Sequence, residues 1–128
     1  MNQISLIKPE QQSINTTQTP GMHRTSGIAS DTCGSTGLWV GLVTAPPGQS
    51  APHHHGDAES GIYILSGTIR MHYGNTLEYN LLAQEGDFLY VPANVVHVEE
   101  NISETDIAKM LVSRNSANYM VVNVTDPR

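Results

Sequence analysis

The sequence predicts an all-β fold, an antiparallel double-sheet jelly roll or small barrel preceded by a polar N-terminal arm. Three observations carry this expectation. From Leu38 onward the chain runs in short segments rich in β-branched and aromatic residues, the texture of strands in a sandwich or barrel. Breakers stand between nearly all of these segments: Pro46-Pro47-Gly48, Gly67, Gly74-Asn75, Glu85-Gly86 and Pro92-Ala93-Asn94. No segment holds a helical period over three turns, apart from a weak pattern at Ser103 to Met110. Strands without crossover helices must pair antiparallel, and a double sheet or closed barrel leaves the fewest free edges.

Residues 1–30 are polar, rich in Gln, Ser and Thr, with Pro20-Gly21 as a turn signal. They form the expected arm, with a candidate edge strand at Ile4 to Ile7, and residues 31–128 form the barrel domain. Nine candidate strands follow: Leu38 to Ala45, Ser50 to His55, Gly61 to Ser66, Thr68 to Tyr73, Leu77 to Leu82, Asp87 to Val91, His97 to Asn101, Ile107 to Ser113 and Tyr119 to Val124.

A chain of 128 residues fits one compact domain with a sizeable core. The net charge is -6, from 12 acidic residues against 6 Lys and Arg, and no basic cluster occurs. This excludes nucleic-acid backbone and anionic membrane surfaces as expected partners. The single cysteine, Cys33, can form no internal disulfide and has no C-x-x-C context or paired His, so neither a redox pair nor a catalytic thiol is expected. The N-terminus lacks a basic start and an apolar core, and no span reaches transmembrane length, so a cytoplasmic protein is expected. The N-x-[ST] sequons at Asn15, Asn101 and Asn123 then have no glycosylation role.

The stretch His53-His54-His55-Gly56-Asp57-Ala58-Glu59-Ser60 carries the chemistry. In an extended strand alternate side chains share a face, so His53 and His55 converge while His54 looks away. Two convergent imidazoles near an acidic residue make a metal-site hypothesis. His97, which follows Pro92 in a second punctuated strand, is the candidate third imidazole. Glu99, two residues on, shares the face of His97 and is a weak candidate for a general base, with a place at the barrel rim as the plainer expectation. Asp57 is expected to solvate a turn, and His23 and His72 to be surface or structural histidines.

These motifs resemble the cupin superfamily. Its first motif is matched by Gly48, four intervening residues rather than five, His53-x-His55, Glu59 and Gly67, and its second by Gly86, five residues, Pro92-Ala93-Asn94, Val95-Val96, His97, three residues and Asn101. The one substitution in the second motif is Asn94 for Gly, and Asn tolerates a left-handed turn next best after Gly. Eighteen residues separate Gly67 from Gly86, which suits a single-barrel cupin. The resemblance implies a double-stranded β-helix and a metal held by His53, His55, Glu59 and His97. Counting six residues back from Gly67 lands on Ser60, however, and a slip of one residue turns a side chain to the other face. Either a bulge brings Glu59 to the metal, or Ser60 takes its place and the site is three histidines plus water.

The implied cofactor is a divalent transition metal, Fe, Mn, Ni, Cu or Zn, with the harder Fe(II) and Mn(II) favoured if a carboxylate joins. Trp39, Tyr63, Met71, Phe88, Tyr90 and Met110 are the bulky candidates for a pocket lining, each with ordinary core packing as its plainer role. With one Trp, five Tyr and one Phe, the chain is suited to a small ligand rather than a large aromatic one. The resemblance implies a metal-dependent, oxygenase-like enzyme acting on a small molecule. A non-catalytic ligand-binding or sensing barrel is the alternative, and a metal-dependent isomerase, lyase or decarboxylase a further one. A homodimer is expected from the same resemblance.

Overall fold

The computed structural model describes residues 3–117 and 120–128. After a short 3-10 turn at Pro9–Gln11, the strands are β1 His23–Ile28, β2 Trp39–Ala45, β3 Gly48–Gln49, β4 His53–His54, β5 Ser60–Ser66, β6 Thr68–Tyr73, β7 Tyr79–Gln84, β8 Phe88–Val91, β9 His97–Asn101, β10 Ala108–Arg114 and β11 Val122–Asn123. They build a five-stranded sheet, β1-β2-β10-β5-β8, and a second sheet ordered β11-β4-β9-β6-β7, with β3 also paired to β9. Every named pairing is antiparallel. Among the described residues no helix is long and apolar enough to cross a membrane.

The core lies between the sheets. Trp39, Val43 and Ala45 of β2, Ile62 and Ile64 of β5, Ile69 and Met71 of β6, and Met110 and Val112 of β10 alternate inward and pack together. Trp39 is fully buried, and its indole N–H donates to Ser26 Oγ at 2.8 Å, so the polar end of the ring is satisfied.

The arm contributes its edge strand at β1, not at Ile4 to Ile7. Ile4 and Leu6 are exposed coil, while β1 pairs with β2 and Ser13 bridges to Ser26. The inward side chains of β1 are Arg24 and Ser26, so this strand shows no apolar alternation. The weak helical pattern at Ser103 to Met110 is also superseded: from Ala108 onward the segment is strand, because Ala108, Met110 and Val112 fill the core at every second position. The second candidate strand shrinks to β4, and the last to β11, with Tyr119 outside the described residues.

Candidate metal centre

Three strand registers assemble the site. His53 on β4 and His97 on β9 are direct partners across the ladder, and His55 follows one residue past the end of β4. The strand period turns both His53 and His55 inward, while His54 turns away and accepts the Gly56 N–H at 3.0 Å. The turn closing this segment is fixed by Asn94, whose φ of 63° is the left-handed conformation expected from its place in the second motif. Its N–H donates to Gly56 O at 2.7 Å and its side-chain amide to Asp57 Oδ1 at 3.2 Å, tying the two motif loops together.

The three imidazoles stand with ring centroids 4.3 to 5.3 Å apart, and one nitrogen from each lies within 4.8 Å of the others. His53 Nδ1 lies 2.9 Å from Ala51 O, and His97 Nδ1 lies 2.8 Å from Val95 O. A carbonyl can only accept, so each Nδ1 carries the proton and each Nε2 presents a lone pair. Both Nε2 atoms are buried and lack a hydrogen-bond partner. Convergent, dry lone pairs are costly unless a cation or proton joins them, and three imidazoles of this kind could hold a divalent metal.

Glu99 occupies the position beside them. It is 4% exposed, with carboxylate oxygens 3.3 Å from His53 Nε2 and 3.5 Å from His97 Nε2. The rim is therefore not its location. It shares the His97 face of β9 and points into the barrel, where Ser50 Oγ–H also donates to it at 3.4 Å. Burial alone would raise its pKa, but the facing imidazoles and Arg24 hold it well below the usual carboxylate range. Desolvation, ahead of the neighbouring charges, lowers His53 to about 4 and His55 to about 2.

Glu59 is placed outside. It is exposed, accepts from the Tyr90 hydroxyl at 2.5 Å and from Asn115 Nδ2 at 3.1 Å, and its N–H donates to Asn115 Oδ1. No bulge precedes β5, which starts at Ser60 and alternates inward at Ser60, Ile62 and Ile64, so strand period alone turns Glu59 outward. Ser60 is the buried residue of the pair, 2% exposed, with its Oγ unpartnered.

A cavity of about 250 Å³ opens beside His97, lined also by Met71, Tyr73, Leu81, Leu89, Tyr90, Val91, Pro92 and Val95. Of the residues expected to line a pocket, it includes Met71 and Tyr90. Trp39 and Met110 belong to the closed core instead. Tyr63 and Phe88 stack at 4.8 Å on the outer face of the five-stranded sheet, with Phe88 79% exposed, because β8 turns Leu89 and Val91 inward. Apolar residues fall on both faces of β8, so its sequence could not say which pair lines the lumen. His72 pairs with Glu100 at 2.9 Å and His23 is exposed, both apart from the site.

Two buried arginines escaped the sequence reading. Arg24 donates to Thr19 Oγ1 at 2.7 Å and to Thr17 O at 3.3 Å. Arg114 lies 4.0 Å over the Trp39 ring, with Nη1 2.8 Å from His55 Nδ1. Burial lowers the pKa of Arg114 to about 9. The only signal for Arg114 was its place at the end of an alternating strand, where a surface role is the ordinary expectation.

The family model for the cupin domain matches residues 41–114, more than half of the chain. The chain belongs to the cupin family. Solved structures agree on the fold. A conserved protein from Klebsiella pneumoniae with a double-stranded β-helix domain superposes with a TM-score of 0.67 at 18% identity, over 81% of this cupin and 84% of that chain. Oxalate oxidase, solved in complex with glycolate, gives 0.71 at 25% identity over 85% of this cupin but only 58% of its own chain. Oxalate decarboxylase from Bacillus subtilis, a protein with Mn(II) centres, gives 0.72 at 24% identity over 85% of this cupin and 29% of its own chain. No match was found among curated proteins.

Proposed function

We propose that this cupin is a small metal-dependent enzyme of oxygenase-like chemistry, with His53, His55 and His97 as metal ligands and Glu99 as the adjoining carboxylate. The observation that carries this reading is the pair of buried, partnerless Nε2 atoms on His53 and His97, each held in the metal-binding tautomer by an Nδ1–H donated to a backbone carbonyl. With a carboxylate beside three imidazoles, Mn(II) or Fe(II) is favoured over softer ions. The ion would supply Lewis acidity and open positions for substrate or dioxygen. The protein's own part is to keep the imidazoles uncharged through burial, to set the Glu99 carboxylate beside His53 and His97, and to exclude water with the apolar walls of Met71, Leu81, Leu89, Val91 and Val95. The substrate is a small molecule within that cavity.

The solution form we infer is a cytoplasmic homodimer. The outer face of the five-stranded sheet supports the dimer: Leu42, Leu111, Tyr63 and Phe88 are successive register partners and form an apolar row across four strands.

Elemental analysis of purified protein offered Fe, Mn, Ni, Cu and Zn in turn tests the site. About one ion per chain is expected, with none retained by His97→Ala. A wild-type protein that takes up none of the five overturns the reading, and the oxygenase assignment fails if metal-dependent turnover consumes no dioxygen.

A further inference from the structure

One row of register partners runs from the imidazoles toward solvent. Across β9, β6 and β7, His97 stands opposite Tyr73, and Tyr73 opposite Tyr79. Partners of this kind project from one face, and the row two residues along, Glu99, Met71 and Leu81, projects from the same face. Glu99 and Met71 are buried, so both rows face the barrel interior. Exposure climbs along the row of His97, which is itself buried, through a half-buried Tyr73 to Tyr79 at 58% exposed. The two tyrosine rings lie 5.5 Å apart.

Two spaces meet on this row. The cavity of about 250 Å³ touches His97 and Tyr73 but not Tyr79, whereas an outer cleft of about 490 Å³ touches Tyr73 and Tyr79 but not His97. The segment after β8 repeats the pattern, with Pro92 bordering only the cavity, Asn94 and Val96 only the cleft, and Val95 both. Tyr73 and Val95 therefore stand on the boundary. The chemistry changes there as well, from the aliphatic walls of Met71, Leu81 and Leu89 inside to Asn75, Glu78 and Asn94 outside. Among the described residues neither space is lined by Lys or Arg.

We propose that Tyr73, backed by Val95, is a specificity-determining residue of this cupin: it ends the ligand cavity and restricts the ligand to a short, uncharged aliphatic chain whose polar atom points toward His97. This rests on the functional reading above only in taking that cavity as the substrate's place. Each methylene laid along the aliphatic walls strengthens binding by about fourfold, until the chain meets the Tyr73 ring. A charged group at that end would lose its water and gain no opposite charge from the cavity walls. The volume lies below the roughly 300–1,000 Å³ of sites for drug-sized ligands, which suits a chain of a few carbons.

The test is a calorimetric titration with straight-chain primary alcohols from ethanol to octanol, with metal content measured in parallel. Wild-type affinity is expected to climb with each methylene, break, and climb no further. Tyr73→Ala opens the cavity into the cleft, so octanol is expected to gain at least about tenfold while propanol stays within about twofold. Tyr73→Phe keeps the ring and should keep the break. Tyr73→Leu, which retains apolar bulk on β6, decides the matter if Tyr73→Ala shows no cooperative melt, and it too should move the break to longer chains. A wild-type series that climbs through octanol without a break, or a break that stays in place in the folded Ala or Leu variant, overturns the proposal. Protein that takes up no metal yet shows the break overturns the metal-dependent reading alone.

Discussion

Burial, ahead of the charges around them, keeps His53 and His55 neutral at pH 7, with pKa values lowered to about 4 and about 2 from an ordinary 6.5. An imidazole whose folded value lies below its unfolded value binds fewer protons in the fold, so its stability contribution is fully present above pH 6.5 and is lost as the pH falls toward the folded value. Each such group costs about 1.4 kcal/mol per pH unit across that window. Glu99, lowered in the fold, also loses its contribution on acidification, at pH values below its ordinary 4.5. Metal-free protein is therefore expected to show a lower urea midpoint at pH 5 than at pH 7, and a midpoint that is flat or rises on acidification would contradict this assignment. The two glutamates make a second prediction at this scale. Glu99→Gln is expected to weaken Mn(II) binding about 10- to 100-fold, while Glu59→Ala, on the exposed face, should leave affinity and stability nearly unchanged, within about 0.5 kcal/mol. Titration calorimetry on both variants checks the contrast. The residue spacing from Gly67 left Glu59 and Ser60 both open as the inward position, and β5, which begins at Ser60, turns Ser60 inward. Glu99 was visible as a residue sharing the His97 face, but whether that end of β9 is rim or interior depends on what the other sheet covers.

At the scale of elements, period-two alternation explains most of what was legible. β6 and β9 have the bounds expected from their sequences, Thr68–Tyr73 and His97–Asn101, because clear breakers flank runs with one apolar face. β1 was illegible for the opposite reason: its buried residues are Arg24 and Ser26, satisfied by hydrogen bonds rather than packed as apolar side chains. Its pairing with β2 depends on Gly41, where a Cβ would overlap both the Thr25 carbonyl of β1 and the Trp39 ring. Gly41→Ala is expected to destabilise the protein by about 1–3 kcal/mol through overpacking. A thermal melt with an unchanged midpoint would show that β1 and Trp39 can shift without cost.

Across the whole molecule, the two faces of the five-stranded sheet are sharply different. The inner face closes the core, while the outer carries Leu42, Leu111, Tyr63 and Phe88 in one register row, exposed by 42% and 39% at the two leucines and 79% at Phe88. If this row joins two copies, Phe88→Glu places an unpaired charge at the interface and is expected to yield monomers in sedimentation equilibrium, with metal content unchanged. A dimer that persists in this variant would place the interface elsewhere.

The sequence by itself determined the all-β fold, the cupin motifs and the convergence of His53 and His55 on His97, because strand period and turn residues act over a few positions along the chain. That Glu99 rather than Glu59 adjoins the imidazoles, that Phe88 lies outside the barrel, and that Arg114 and Ser60 are buried became visible only in the folded molecule. Each of those facts depends on which strand of one sheet lies opposite which strand of the other, and burial of that kind is set by distant segments that no local pattern encodes.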